Sequence, residues 1–138
     1  MAQHYFSLTK NEWEIMEVMW KAGRPLSRAE VIALSEDRTW RASSFHVLMN
    51  SLLEKGAVKV VGFVLNTKKY ARTFAPAISE VEYAAMQVKS MPSYTPKFIP
   101  ALVSTLMPES DNEEILEELK TRLKAVEEKE QPHDEGEC

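Results

Sequence analysis

The sequence is poor in the residues from which catalytic and metal sites are usually built. Cys138 is the one cysteine among 138 residues, so an internal disulfide and a cysteine-rich metal site are both excluded. The four glycines are scattered, which excludes a phosphate-cradling loop, and His4, His46 and His133 lie in separate segments without metal-ligand spacing. We therefore expect no catalytic residue, no metal, no cofactor and no enzyme activity.

Long apolar runs are also missing. No run approaches the roughly 18–20 residues that a bilayer-spanning helix needs, and the first residues lack the basic and apolar regions of a secretory signal. These patterns predict a soluble protein without a membrane partner. A reducing cytoplasm is the compartment that suits a chain with a single cysteine.

Charge is distributed unevenly along the chain, although the net charge of −4 is modest. Residues 1–75 contain eleven Lys/Arg and seven Asp/Glu, a net +4, whereas residues 76–138 contain six and fourteen, a net −8. Such asymmetry indicates a basic module that meets a polyanion and an acidic module that faces elsewhere. An ordinary solvated surface explains the acidic half equally well.

The segment from Trp40 to Gly56 is the most informative, because it predicts a helix with two distinct faces at about Ser43 to Glu54. One face is apolar at helical spacing and belongs in a core: Phe45, Leu48, Met49, Leu52 and Leu53. The opposite face is small and neutral: Ser43, His46, Val47, Asn50 and Ser51. A short, hydrogen-bonding face of this kind suits a DNA groove better than catalysis. We expect Trp40 to pack under this helix and orient it.

The signals around that helix predict a winged helix-turn-helix. Capping boxes, in which Ser or Thr is followed three residues later by Glu, open helices at Thr9, Ser27 and Ser79. At 58–76 the apolar period becomes alternating, which predicts a two-stranded hairpin. Three helices followed by a hairpin place the helix at about 43–54 in the recognition position. We expect Trp13, Trp20 and the methionines to be core residues.

The C-terminal half predicts further helices that cannot bury their own apolar side chains. Pro92, Pro96 and Pro100 break the stretch after the hairpin, leaving an apolar segment at 101–107 and a last helix that opens at 111–114. The apolar stripes are too few to bury one another.

Pairing with the same segment of a second chain is the economical remedy, and we predict a homodimer. The predicted dimerisation residues are Tyr83, Leu102, Leu106, Leu116, Leu119 and Leu123. Folding of these helices onto the N-terminal core of the same chain is the competing interpretation. The prediction is thus a mostly α fold with a small β-hairpin wing: a DNA-binding domain at 1–76, a helical dimerisation region at 77–129 and a disordered acidic tail at 130–138.

Several of these residues resemble the penicillinase repressor (BlaI/MecI/CopY) family. The matching pieces are Leu8-Thr9-x-x-Glu12-Trp13-Glu14-Ile15-Met16, Trp20, Trp40 with Ser44, Leu48, Met49 and Leu52, the Glu54-Lys55-Gly56 turn, Tyr70, Phe74-Ala-Pro76 and Ser79-x-x-x-Tyr83. Residues 98–123 resemble the family's dimerisation region more loosely. The resemblance implies a homodimeric repressor that leaves its operator when a signal destroys or remodels the dimer.

Departures from the family pattern limit what the resemblance implies. Ser43, His46 and Ser51 stand where the family usually has basic residues, and Val47 where it has threonine, so the operator sequence does not follow. The family's Asn-Phe cleavage site aligns with Thr105-Leu106, and its copper-sensing Cys-x-Cys pairs are missing. The sensor or inducer, if there is one, therefore stays unidentified.

Candidate DNA contacts fall into two groups. Ser43, Ser44 and Asn50 suit bases or phosphates, since an asparagine amide can bond adenine N6 and N7 together; Val47 suits a thymine methyl, and His46 a phosphate or base edge. The cations Arg38 and Arg41 at the helix entrance, with Lys68, Lys69 and Arg72 on the wing, suit phosphates. The alternative for both groups is an ordinary solvated surface.

The function predicted is a sequence-specific repressor that binds double-stranded operator DNA as a homodimer. The operator is expected to be an inverted repeat with half-sites about 10 base pairs apart, or a multiple of that. One alternative is a winged-helix protein-interaction module with little DNA affinity. Another is a metal-responsive sensor that uses His133, Cys138 and an acidic residue across the dimer.

Overall fold

The computed structural model describes residues 5–66 and 68–130. The chain divides into two compact units, the first ending at Tyr94 and the second beginning at Thr95. The expected disordered tail lies outside the described residues from 131 onward, as do His4, His133 and Cys138. Among the described helices, none has both the length and the apolar character that crossing a membrane requires.

Four helices and a small sheet form the first unit. The helices are α1 Lys10–Ala22, α2 Arg28–Leu34, α3 Phe45–Lys55 and α4 Glu80–Lys89. A short 3-10 turn, Ala42–Ser44, leads directly into α3. The strands are β1 Leu26–Ser27, β2 Val58–Asn66 and β3 Lys69–Pro76.

Local sequence signals set the ends of these helices. The expected capping boxes at Thr9, Ser27 and Ser79 are all present. In each, the hydroxyl accepts from the backbone N–H three residues later, and the glutamate at that later position accepts from the backbone N–H of the capping residue. Gly23 and Gly56 close α1 and α3 with φ of 66° and 83°, a left-handed conformation that glycine adopts without a Cβ penalty.

The sheet has three antiparallel strands in the order β1-β3-β2. The hairpin of β2 and β3 is the predicted wing, and β1 adds a two-residue pairing with the base of β3, in which Leu26 lies opposite Phe74. The sequence pattern does not predict β1, since two residues carry no alternation. The pairing ties the turn between α1 and α2 to the wing.

The core lies where α1, α2 and α3 meet the base of the sheet. Its fully buried side chains are Ile15, Met16, Met19, Leu26, Val31, Met49 and Leu52. Trp40 is buried beneath the start of α3, with its ring 6.2 Å from that of Phe45, as the sequence predicts. This arrangement of three helices and a hairpin is the winged helix-turn-helix.

The second unit contains two helices, α5 Phe98–Leu106 and α6 Glu113–Glu130. Pro100 does not break α5, contrary to the sequence prediction. It occupies the third position of the helix, where the backbone N–H has no intrahelical partner to lose. Asp111 adopts φ of 56° just before α6, and the last helix begins at Glu113, within the predicted opening at 111–114.

Candidate nucleic-acid interface

The outward face of α3 is exposed and is neutral through Asn50, with Glu54 exposed in the last turn. The exposed residues of this face and of the turn before it are Ser43, His46, Val47 and Asn50, and Ser44 is half-buried beside them. Phe45, Met49 and Leu52 on the opposite side are buried, as the helical period predicts. A neutral face of this width can approach another macromolecule closely.

Asn50 and His46 form a pair one helical turn apart. The Asn50 Nδ2 atom lies 3.2 Å from His46 Nε2. When that ring nitrogen carries no proton it accepts a hydrogen bond from the amide. The second amide hydrogen and the Oδ1 atom of Asn50 then remain as a donor and an acceptor side by side.

Ser51 does not belong to this face, contrary to the sequence prediction. Its Oγ donates to Glu12 Oε2 at 2.5 Å, toward the interior between α1 and α3. Glu12 comes from a helix 39 residues earlier in the chain, a contact that no local pattern reveals. Ser51 therefore positions α3 on α1 rather than presenting a hydroxyl outward.

Glu12 is the buried charged group that holds α3 in place. It is 2% exposed and accepts from Lys55 Nζ at 2.5 Å as well as from Thr9 N–H at 2.9 Å. Burial alone would raise the pKa of this carboxyl, but the hydrogen bonds from Lys55, Ser51 and Thr9 outweigh it and hold the pKa below its ordinary value. One carboxylate thus caps α1 and binds the last turn of α3.

Glu14 makes a second link from α1, this time to the loop before α3. The Thr39 N–H and Oγ–H donate to the two oxygens of Glu14 at 3.0 and 2.8 Å. The backbone N–H of Thr39 is the main reason that the pKa of the Glu14 carboxyl lies below its ordinary value. Sequence reasoning misses both links, because the capping box accounts for Glu12 within α1 alone and the context of Glu14 is that of a solvated helix residue.

Arg38 is engaged within the protein and does not offer a free cation at the helix entrance, contrary to the sequence prediction. Its guanidinium donates to the carbonyls of Ile32 and Ser35 at 3.3 Å, at the C-terminus of α2. The same group lies 5.3 Å from the centre of the Trp40 ring. Cations at helix C-termini satisfy carbonyls that lack an intrahelical partner, so Arg38 stabilises the end of α2.

Arg41 and Arg28 are the exposed cations beside the start of α3. Arg41 precedes the 3-10 turn, where the sequence places it. Arg28 is the first residue of α2, and its guanidinium lies 3.5 Å from the Ala42 carbonyl and 5.8 Å from the centre of the Phe45 ring. Arg28 is missing from the predicted contacts, although its place directly after the Ser27 cap is a signal that could have found it.

The wing adds cations and no acidic residue. Lys68 and Lys69 are exposed at the tip, and Arg72 is exposed with its guanidinium 5.2 Å from the centre of the Phe74 ring. Residues 58–76 also contain Lys59 but neither Asp nor Glu. The predicted wing cations therefore lie on one projecting element beside α3.

Tyr83 does not lie in the place that the sequence predicts for it. It is 3% exposed, its Oη accepts from the Leu8 N–H at 2.8 Å, and its ring contacts Trp13 at 5.3 Å between centroids. Trp20 packs against the same cluster and donates from Nε1 to the Ile78 carbonyl at 2.9 Å. The Tyr83 side chain thus packs α4 onto α1 within one chain.

The other predicted dimerisation residues lie in the second unit. Leu106, Leu116 and Leu123 are exposed, whereas Leu102 and Leu119 are half-buried. Within the described part of this unit, no residue of α5 or α6 is fully buried. The apolar stripes are therefore available to a partner.

No metal centre is formed by the residues that the structure describes. Among them, no group of three or more His, Cys, Asp or Glu side chains is placed to hold an ion. His133 and Cys138, named for the metal-sensor alternative, lie outside this part of the chain.

An exposed helix face beside a cationic hairpin on a winged helix is typical of DNA-binding transcription regulators. Comparison with known proteins narrows this class. The penicillinase repressor family matches residues 8–125, so the chain belongs to that family and the resemblance is confirmed.

Two individual proteins show limited similarity to this chain. A protein of Latilactobacillus sakei, described as an uncharacterized 16.5 kDa protein in the ptsI 3′ region, is 31% identical over 87 residues, which are 63% of this chain. The match spans about half the length of that relative, 55%. The crystal structure of a mutant of MepR from a multidrug-resistant S. aureus clinical isolate covers 88% of this chain and 81% of its own, at 16% identity and a TM-score of 0.43.

Proposed function

We propose that the protein is a homodimeric repressor that binds an inverted-repeat operator in the cytoplasm. The observation that carries the proposal is the pairing of the exposed α3 face with a wing that has four cations and no acidic residue. The wing, which carries no acidic residue, attracts phosphates beside the neutral start of α3. Membership of the penicillinase repressor family supports the same function.

Asn50 is the proposed base reader. With one amide hydrogen given to His46, its remaining N–H and its Oδ1 form the donor and acceptor pair that adenine requires at N7 and N6. Ser43, Ser44 and His46 lie close enough on the same surface to contact bases or phosphates, and Val47 offers an apolar contact for a thymine methyl.

The cations position the protein on the backbone and carry no sequence information. Arg28 and Arg41 flank the start of α3, and Lys68 and Lys69 occupy the wing tip. Arg72 lies nearer the base of the wing. Each phosphate that these residues contact adds about 0.9 to the slope of log affinity against log salt.

The second unit supplies the proposed dimer interface. Its helices expose Ile99, Leu106, Ile115, Leu116, Leu123 and Val126, and no residue in them is fully buried. Two helices with so little interior do not bury enough apolar surface to be stable alone. A twofold partner covers the stripes and fixes the distance between two copies of α3.

The test is a gel-shift titration of the full chain against the DNA upstream of its own coding sequence, at two salt concentrations. Sequence-specific binding predicts a shift that survives excess competitor DNA and weakens steeply as salt rises. Sedimentation of wild type and of Leu123→Asp tests the dimer, since a carboxylate in the stripe should yield monomers. Absence of binding to every duplex would favour the protein-interaction alternative, and a wild-type monomer would remove the dimer.

A further inference from the structure

A contact between His46 and Asn50 decides which groups the outward face of α3 offers. The Asn50 Nδ2 atom lies 3.2 Å from His46 Nε2, and both side chains are exposed. The two residues are four positions apart, so they are neighbours on one face of the helix. Among the described residues, neither side chain has a second hydrogen-bond partner. The His46 ring alone therefore sets the orientation of the Asn50 amide.

This contact holds only while His46 Nε2 carries no proton. The amide Nδ2 of Asn50 can donate but not accept, so the ring nitrogen that faces it must accept. In a protonated imidazole both ring nitrogens carry hydrogen, and the contact would then place a donor against a donor. Turning the Asn50 amide by half a turn restores the hydrogen bond, with Oδ1 as the acceptor. Such a turn meets little resistance, because the last torsion of an asparagine side chain is broad and two-fold.

The two orientations of the Asn50 amide match different bases. With Nδ2 toward His46, the amide presents one N–H and Oδ1 outward, which are the donor and acceptor that adenine requires at N7 and N6. With Oδ1 toward His46, the amide presents its two N–H groups outward. Guanine offers two acceptors on the same edge, N7 and O6. A proton on His46 therefore converts a reader of adenine into a reader of guanine.

The protein supplies no carboxylate to pair with a charged His46. The charged groups that contact or belong to α3 and the segment leading into it are Glu12, Glu14, Arg28, Arg41, Glu54 and Lys55. Strand β2, which also packs on α3, adds Lys59. In the described part of the chain, none of these groups forms an ion pair with His46. A charge on the ring is therefore compensated by solvent, or by phosphate when DNA is bound.

We infer that His46 is a positioning residue whose proton selects the base that Asn50 reads, adenine in neutral solution and guanine in mild acid. This inference rests on the proposed function. Histidine is the side chain whose charge ordinarily changes between about pH 5 and 8. The buried Glu12 keeps its stabilising charge throughout that range, because its pKa lies below the ordinary value of 4.5. The change at the reading surface thus occurs while the link between α1 and α3 persists.

The experiment enriches randomised duplexes with the full wild-type chain at about pH 8 and at about pH 5.5. Titrations at both pH values then compare duplexes that carry adenine or guanine at the position where Asn50→Ala loses discrimination. The measured quantity is the ratio of the two affinities, in which effects of pH on all sequences alike cancel.

Substitutions at His46 separate its proton from its position. His46→Gln can still form a hydrogen bond with Asn50 but does not titrate, so its base ratio should not vary with pH. His46→Lys is a donor at both pH values, so it should prefer guanine at both. His4 and His133 are the other histidines in the sequence. The double variant His4→Gln, His133→Gln is therefore the matched control and should behave as wild type.

Wild type should prefer adenine by about tenfold to a hundredfold at the higher pH and should lose or reverse that preference at the lower pH. A base ratio that stays the same at both pH values in wild type would overturn the inference. A pH-dependent ratio that persists in His46→Gln would overturn it too, by showing that another group titrates.

The inference and the proposed function fail in distinguishable ways. A wild-type chain that enriches one operator sequence with the same base preference at both pH values overturns the role of the His46 proton and leaves the repressor function intact. A wild-type chain that enriches no duplex at either pH overturns both.

Discussion

The two units of this chain bury their apolar side chains in different ways. In the first unit, three helices and the base of a sheet enclose a core in which Ile15, Met16 and Leu52 have no exposed surface. In the second, no residue of α5 or α6 is fully buried, and Leu106 and Leu123 are 72% and 55% exposed. The first unit therefore has an internal source of stability, whereas the second unit leaves its apolar stripes exposed, and we propose that a partner covers them.

The largest expected effect contrasts one leucine from each unit. Leu52→Ala leaves a cavity in the core of the first unit and should lower the free energy of unfolding by about 3–4 kcal/mol. Leu123→Ala, the matched control, should change monomer stability by less than about 0.5 kcal/mol. Denaturant unfolding at several protein concentrations measures both. Equal losses that do not vary with concentration would contradict the contrast between the units.

A smaller effect is expected from the buried carboxylate between α1 and α3. Glu12→Gln removes the charge that faces Lys55 and should destabilise the first unit by about 2–3 kcal/mol, below the cost of breaking a fully enclosed pair because the Lys55 side chain keeps 26% of its surface exposed. Glu54→Gln, a solvated glutamate on α3, should be neutral.

The pH dependence of Glu12 has a definite sign. Its folded pKa lies below the ordinary value of 4.5, so the stability that it contributes is fully present above about pH 4.5 and is lost as pH falls through the lowered value. Thermal melting of wild type and Glu12→Gln should converge as the solution is acidified. Wild type that is less stable than Glu12→Gln at neutral pH would show that the pKa of Glu12 is raised in the fold instead of lowered.

Asn50 belongs to the first unit, but we expect it to contribute to the free energy of DNA binding and not to the free energy of unfolding. Asn50→Ala should leave unfolding unchanged and reduce discrimination at one operator position by about 1–3 kcal/mol. Binding to duplexes substituted one base pair at a time measures this. A uniform loss across random DNA would mean that Asn50 does not read a base.

The smallest expected effect is that of one wing cation. Lys69→Ala should weaken binding to all sequences alike and reduce the salt slope by about 0.9, without altering discrimination or stability. Lys21→Ala on α1 serves as a control for net charge, since it lies away from the proposed surface. Sequence-dependent loss in Lys69→Ala would assign this residue to base reading.

Much of the fold of the first unit is predictable because its signals are local. Each capping box, the glycines that close α1 and α3, and the alternation of the wing involve residues only a few positions apart. The fold class follows from these signals, whereas the family follows from the resemblance of specific residues. The pairing of β1 with β3 is not predictable from local patterns, because Leu26 and Phe74 meet only when the intervening helices and strand have folded.

The candidate site is predicted less completely, because exposure depends on distant neighbours. Helical period places His46 and Asn50 on the outward face correctly. It does not reveal the partners of Ser51, Arg38 and Tyr83, which lie on other elements. The register shift between Val60 and Gly62 is also invisible in the sequence, although it decides which side chains of β2 share a side of the sheet with Phe74.

The exposure of α6 has a consequence for how such a repressor can be switched. In the proposed dimer, occupancy of the operator varies with the square of the monomer concentration when the dimer is scarce. Dilution by growth, or faster turnover of the chain, then dissociates the dimer and separates the two copies of α3. Such a switch requires no dedicated ligand pocket. The number of copies in a cell would itself be the signal.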